Sequence, residues 1–330
     1  MNPFQNVREP LDVEIFIGRV LKGIKNYLKQ RNAKVWLKIL EDNLKPYYDF
    51  LNSIPDLDSI DPFYREISYI IAPDLQEKLR GLRVGLKIIK TLIKQTKRKL
   101  KKGGKASNLS IARDCIGRTF SILRRRRKEI EMLRDYVNKL RNLPSINSEL
   151  PIIIVSGPPN VGKSLLVRTI SSGKPEVGNF PFTTKRISLG HIDCGMLKVQ
   201  VMDTPGLLDR PAEERNAIEK QAISALRSLK GVNLFLLDIS KGRVYPIEDQ
   251  LNVLRDVVKM GIRPIVALNK IDNADEDALL KSEDEVKKIG LKSFRVSIIK
   301  GEGIRELMME LLKDVKGCEK LIRLEGIWIS

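Results

Sequence analysis

Gly157-Pro158-Pro159-Asn160-Val161-Gly162-Lys163-Ser164 has the residue types and spacing of a phosphate-binding loop, G-x-x-x-x-G-K-[ST]. An apolar strand pattern, Ile152 to Val155 followed by Ser156, leads into it, and an apolar helical pattern follows, starting near Leu165. Glycines at both ends let backbone N–H groups turn inward onto phosphate oxygens, at the positive end of the next helix. Gly157 to Leu165 is thus the candidate cradle. Lys163 is expected to reach the β- and γ-phosphates, and the Ser164 hydroxyl to ligate Mg²⁺. The plain alternative is a glycine turn between a strand and a helix. Two further motifs in the expected order argue against it.

The first is Asp203-Thr204-Pro205-Gly206, after the strand pattern Val199-Gln200-Val201-Met202. Asp203 at a strand end can hold Mg²⁺ through a water, and the Gly206 N–H can meet the γ-phosphate. The second is Asn269-Lys270-Ile271-Asp272, after Pro264-Ile265-Val266-Ala267-Leu268. A carboxylate can accept hydrogen bonds from guanine N1–H and N2–H₂, a pair that adenine lacks. Asp272 therefore selects GTP over ATP. Asn269 is expected to brace the loop and the Lys270 stem to lie over the base.

These motifs resemble a translation-factor-class GTPase domain, over residues 151–315. Asn179-Phe180-Pro181-Phe182-Thr183-Thr184 resembles the first switch of the Obg-related branch. The resemblance implies that Thr184 coordinates Mg²⁺ and senses the γ-phosphate, with Thr183 the competing choice. It also implies that Ser297-Ile298 belongs to the final guanine loop, departing from the usual Ser-Ala. Leu207 stands where Ras-like enzymes carry a water-orienting glutamine, so slow intrinsic hydrolysis to GDP is expected, helped by a partner or a cation. Asn160 occupies a position where related GTPases help to bind K⁺, so Lys163, Thr184, Gly206 and Asn160 form the candidate catalytic set. K⁺ is an expected activator, the alternative being that Asn160 only shapes the loop.

These residues need elements to hold them. From Leu150 onward the pattern alternates between strands and helices. Strands are expected near 151–156, 185–192, 196–202, 232–238, 263–268 and 291–296, and helices near 163–172, 212–229, 247–260, 276–288 and 302–315. This order predicts an α/β P-loop domain, a mainly parallel doubly wound sheet with its site at the strand C-termini. Residues 185–202 could form a hairpin with an antiparallel edge. His191, the single histidine, falls in an alternating segment and reads as structural.

The preceding 1–143 region reads as an all-α helical bundle, joined by a polar linker at 144–149 to a GTPase domain at 150–316, with a tail at 317–330. Prolines 55, 62 and 73 mark turns or short helices. A helix is expected over 75–101, broken at Gly103-Gly104. One long helix should follow from about Ser107, with Ile116, Phe120, Leu123, Ile130, Leu133, Val137 and Leu140 on its seam.

Charge separates the two regions. The net charge is +19, and residues 81–130 hold 17 Lys and Arg against 2 Asp and Glu. Arg83, Lys87, Lys90, Lys94, Lys97, Arg98 and Lys101 recur at threes and fours along one helical face. Arg124, Arg125, Arg126 and Arg127 follow on the next helix. Such a localised excess suggests a polyanion, and structured RNA is favoured over a solvated surface or an anionic membrane. Aromatic residues are scarce there, which points to phosphate and shape contacts rather than base stacking.

No apolar run approaches the length of a membrane span, and no signal-peptide core follows Met1. Cys115, Cys194 and Cys318 are widely spaced and read as free thiols of a reducing, cytoplasmic protein. Domain order, the P-F-T-T switch and the short tail together resemble the nucleolar GTP-binding protein 1 family, in an archaeal form. That resemblance implies a role in large ribosomal subunit assembly, with precursor rRNA as partner and the particle as activator; no membrane or DNA partner is expected. The other readings are a signalling GTPase whose helical region binds a protein, and an RNA scaffold that holds GTP without turnover.

Overall fold

The computed structural model describes residues 2–27, 32–101, 105–179, 186–194, 197–204, 229 and 231–315. The chain divides into two compact units. Pro3–Ile60 and Ile71–Arg141 make the helical unit. Asp61–Ile70 joins the chain from Asn142 onward in the sheet unit. The segment 61–70, sequence-adjacent to the helical unit, thus folds with the sheet.

The helical unit holds α1 (Val13–Asn26), α2 (Ala33–Ser53), α4 (Leu75–Leu100), α5 (Lys105–Arg125) and α6 (Arg127–Arg141); α3 (Pro62–Ile71) lies almost wholly in the other unit. Each begins where local chemistry allows. Asp12 accepts bonds from the Glu14 and Ile15 amides, capping α1. Pro62 opens α3, where its missing N–H costs nothing, behind the Asp61 carboxylate that accepts from Phe63 N at 2.8 Å. The apolar stripes meet inside: Phe16, Leu37, Leu40, Tyr47, Leu82, Ile89, Leu123 and Leu133 are all buried. Phe16 packs edge-on against Tyr47 and Phe120. Burial of the Tyr47 hydroxyl pushes its pKa well up, so it stays neutral.

The expected long helix after Ser107 is two helices. The break is at Arg126, whose backbone N–H turns to Leu123 O at 3.0 Å. Its side chain lies across α4, where a Cβ on Gly81 or Gly85 would come within 2.7 or 2.8 Å of the guanidinium group. The small residues of one helix admit an arginine of the next, and Glu129 at 2.8 Å neutralises it. The seam nevertheless holds, since Ile116, Leu123, Ile130, Leu133, Val137 and Leu140 are buried.

The sheet unit contains β1 (Ile152–Ser156), α7 (Lys163–Ile170), β2 (Glu176–Asn179), β3 (Arg186–Asp193), β4 (Lys198–Asp203), β5 (Gly231–Asp238), α8 (Ile247–Lys259), β6 (Ile265–Asn269), α9 (Glu276–Lys288), β7 (Ser293–Val296) and α10 (Ile304–Leu312). The strand order is β2-β3-β4-β1-β5-β6-β7. β4, β1, β5, β6 and β7 run parallel, while β3 pairs antiparallel with both β4 and β2. The hairpin expected over 185–202 is therefore present. β2 was not foreseen, because Glu-Val-Gly-Asn lacks an apolar alternation and is a strand only by pairing at the edge.

β1 is buried along its whole length, as a central parallel strand must be. The parallel strands bring their C-terminal ends, with Asp203, Asp238 and Asn269, to one rim. On the other side of the unit, Tyr64 accepts from Ile146 N at 2.8 Å and donates to Pro144 O at 2.8 Å. Gln200 of β4 exchanges bonds with Asn147, Nε2 to O at 2.7 Å and N to Oε1 at 2.8 Å. The 144–149 linker is thereby fastened to the strand that ends in Asp203.

His191 pairs with Gln200 across β3 and β4. Cys115 is a buried free thiol, its pKa raised chiefly by burial. Cys194 is disulfide-bonded, which corrects its reading as a free thiol; Cys318 lies outside the described residues. Among the described residues no helix is long and apolar enough to cross a membrane.

Candidate functional site: a nucleotide cleft and a basic helical face

The cleft is built where β1 hands over to α7. Gly157 has φ 133° and Asn160 φ 65°. A Cβ on Gly157 would fall 2.4 Å from Leu236 O, so only glycine lets the loop pass so close to β5. Gly162, at φ 104°, caps α7 with no side-chain bond to the first-turn amides. Those amides and the helix dipole face the loop's interior, the arrangement that favours a phosphate.

Lys163 is 7% exposed, its ammonium donating to Gly157 O and Pro158 O at 2.7 Å each. The cation is held inside the loop rather than in solvent. Ser164 Oγ donates to Asp203 Oδ2 at 2.5 Å. Ser164 at the start of α7 and Asp203 at the end of β4 put two hard oxygen donors side by side, a pair that would suit Mg²⁺. Among the described residues no cluster of three or more His, Cys, Asp or Glu side chains gathers for a metal. Thr204, fully buried, donates through N and Oγ1 to Val155 O and pins the end of β4 beside β1. Pro158 is buried, Pro159 partly so, Val161 is in the core, and Leu165 faces outward. Thr183, Thr184, Gly206 and Leu207 lie outside the described residues, as does all but Leu229 of the helix expected over 212–229.

The second side of the cleft comes from β6 and β7. Asn269 is buried; its Nδ2 donates to Val161 O at 2.8 Å, and its Oδ1 accepts from Ile298 N at 3.3 Å. One side chain thus joins the phosphate loop to both candidate base loops. Lys270 has φ 68°, and Asp272 follows in a short 3₁₀ turn. Ser297 Oγ donates to Asp272 Oδ1 at 2.6 Å. That bond holds the Asp272 carboxyl below the usual carboxylate range, aided by Lys300 and Lys270 against a desolvation that raises it. Asp272 is therefore an anion with one oxygen occupied by Ser297 and a second oxygen for a donor edge.

Sequence reasoning missed Asp238. It is 3% exposed and stands beside Asn269 in the β5–β6 ladder. Its Oδ2 takes the Lys270 ammonium at 2.5 Å, and its Oδ1 accepts from Ser240 N and Oγ. Gln250 grips both sides of its backbone. Asp238 thus orients the Lys270 stem. The available signal was an aspartate ending an apolar strand, Leu234-Phe235-Leu236-Leu237-Asp238, as Asp203 ends β4.

In the helical unit, Arg83, Lys87, Lys90, Lys94, Arg98 and Lys101 are exposed along α4, which buries Leu82, Leu86, Ile89 and Ile93 on its other side. These six and Arg125 form no ion pair among the described residues. The others are already engaged: Lys97 with Glu41 at 2.7 Å, Arg124 with Glu14 at 3.4 Å, and Arg127 with Glu131 at 2.8 Å. Those pairs are exposed and exchangeable. Arg126 differs, being tucked over Gly81 and Gly85; it serves packing and leaves the expected RNA-facing set.

Two regions of the chain match known families. Residues 16–147 match the family described as the NOG1 N-terminal helical domain, and residues 152–270 match the 50S ribosome-binding GTPase family. The chain is 32% identical over 255 residues to a Methanocaldococcus jannaschii protein, MJ1408, covering 76% of this chain and 71% of that one. It is 30% identical to nucleolar GTP-binding protein 1 of Caenorhabditis elegans, over 84% of this chain and 42% of the relative. The Saccharomyces cerevisiae protein of the same name is 30% identical, over 86% and 44%. The chain thus spans less than half the length of these eukaryotic relatives. With a matching helical region, a matching P-loop region after it, and relatives aligned across both, this chain belongs to the nucleolar GTP-binding protein 1 family of P-loop GTPases.

Proposed function

We propose that the chain binds GTP with Mg²⁺, hydrolyses it to GDP, and acts on the precursor of the large ribosomal subunit by docking on its rRNA. The observation that carries the guanine reading is Asn269, which ties the phosphate loop at Val161 to the loop that holds Ser297 against Asp272. A phosphate cradle and an anionic base reader are thereby tied together through one side chain. In this reading the 157–165 amides and Lys163 hold the phosphates. Ser164, Thr184 and Asp203 would hold Mg²⁺, and the Gly206 amide would meet the γ-phosphate. When bound there, the ion would supply positive charge against the phosphate oxygens. Asp272 reads guanine N1–H and N2–H₂.

Leu207 cannot orient water, so turnover is slow until the ribosomal particle supplies help. K⁺ is proposed as a further aid through Asn160, which is exposed on the phosphate loop in a left-handed conformation. Single-turnover hydrolysis is expected to be faster in KCl than in NaCl by about tenfold, a modest share of what a well-placed transition-state charge supplies. Asn160→Ala should erase that difference; equal rates for the unaltered protein in the two salts would remove K⁺ from the reading.

The RNA surface is the α4 stripe, with Lys90, Lys94, Arg98 and Lys101 at its centre and Arg83, Lys87 and Arg125 beside it. Their charge and spacing support phosphate contacts. The double variant Lys90→Glu, Lys94→Glu should weaken rRNA binding without regard to sequence and flatten the salt dependence by about two in slope. GTP affinity should not change. An unaltered rRNA affinity would point away from the stripe.

A further inference from the structure

Beside the basic stripe, α4 and α5 leave a groove of about 640 Å³ within the helical unit. Its apolar surface comes from Ile88, Leu92 and Ile122, and its charged rim from Lys87, Arg118 and Arg125. Ile88 is 51% exposed, and Val84, one turn earlier on α4, is 47% exposed. Both diverge from the buried Leu82, Leu86 and Ile89 face, so the bundle core does not use them. On α4 the apolar line Val84–Ile88–Leu92 runs parallel to the basic stripe, displaced around the helix. The groove carries no acidic lining residue. Arg118 pairs with Asp114, one turn away on α5, through an exposed and exchangeable contact.

An RNA backbone gains nothing from an apolar floor, and a neutral apolar partner gains nothing from a basic rim. A helix with leucine-like residues at i, i+3, i+4 and i+7 and carboxylates on both flanks satisfies both. We propose that the α4–α5 groove docks an acidic amphipathic helix of a protein partner, beside the RNA stripe and sharing Lys87 and Arg125 at its margin. This goes beyond the nucleotide and RNA reading and does not rest on it. The apolar floor would supply the anchor, and Lys87 and Arg125, unpaired among the described residues, would set orientation and speed of encounter.

The test uses the full chain and a fluorescent amphipathic peptide with leucines at those four positions and flanking glutamates. Control peptides replace the leucines by serine or the glutamates by glutamine. The glutamate peptide should bind and both controls should bind more weakly. Ile88→Ser, at an exposed position that leaves the core intact, should weaken peptide binding roughly tenfold, the effect of one lost apolar anchor. The same variant should leave rRNA affinity within about twofold, because neutral serine removes no phosphate contact. Lys87→Gln with Arg125→Gln should reduce the salt sensitivity of peptide binding. Failure of the peptide to bind, equal peptide binding by Ile88→Ser, or a loss of RNA affinity in Ile88→Ser as large as the peptide loss would overturn the proposal. The last outcome would assign the groove to RNA. Loss of rRNA binding in Lys90→Glu, Lys94→Glu with retained peptide binding keeps the two surfaces distinct.

Discussion

Lys163→Ala should lower GTP affinity by at least about a hundredfold while the protein stays folded. The magnitude follows from its position. The ammonium is buried within the loop, 2.7 Å from two loop carbonyls, at the start of α7. A phosphate group entering the cradle offers it anionic partners in place of neutral ones. Charge-assisted bonds in such surroundings contribute about 1.5–3 kcal/mol each, so losing two costs roughly 10² to 10⁴ in affinity. Alanine keeps the helix propensity of the position and removes only the charge and its stem. Titration calorimetry gives the affinity, and thermal unfolding shows that the fold is kept. Unchanged GTP affinity in a folded variant would remove the loop from the site.

Asp272→Asn should change which base is bound. Ser297 Oγ already donates to one carboxyl oxygen, so the asparagine oxygen takes that bond and its amide nitrogen faces the base. Guanine presents donors there, and two donors facing each other leave both unpaired. GTP affinity should fall by at least about a hundredfold, the loss of two charge-assisted bonds. Xanthine presents an oxygen where guanine has its amino group, so xanthosine triphosphate should bind the variant more tightly than GTP does. Competition between the two triphosphates for the variant and the unaltered protein measures the switch. A variant that still prefers GTP would show that Asp272 does not read the base.

These two residues also show how far the sequence could be read. The phosphate loop was legible because its chemistry is backbone geometry, and glycine spacing records backbone geometry directly. Gly157 is required by Leu236 O, and the motif carries that requirement even though Leu236 lies far along the chain. Asp272 was legible for a similar reason: Asn-Lys-x-Asp is local. Asp238 was not, because its role depends on β5 lying beside β6, and only the ladder aligns it with Asn269. Ser297 and Ile298 were reached through resemblance, and their bonds to Asp272 and Asn269 depend on β7 closing the sheet.

The same contrast holds in the helical unit. The basic stripe and buried face of α4 follow from a period of three and four. By its place in the sequence Arg126 is one more basic residue in the run Arg124 to Lys128. Its role comes from Gly81 and Gly85, some forty residues earlier, and no local pattern reports that contact. The break between α5 and α6 was hidden for the same reason, since helix-forming residues continue through it. Segment 61–70 was legible as a short helix but not as part of the sheet unit, because unit membership rests on long-range packing.

The central claim joins the two units in function: a GTPase whose turnover depends on an RNA-rich particle reached through a basic helical face. Single-turnover GTP hydrolysis by the full chain, with and without large ribosomal subunit precursors, tests it most directly. The rate should rise on adding the particle, fall back as salt is raised, and stay low for Lys90→Glu, Lys94→Glu. An equal rate with and without the particle, under conditions where the protein is bound to it, would contradict the account.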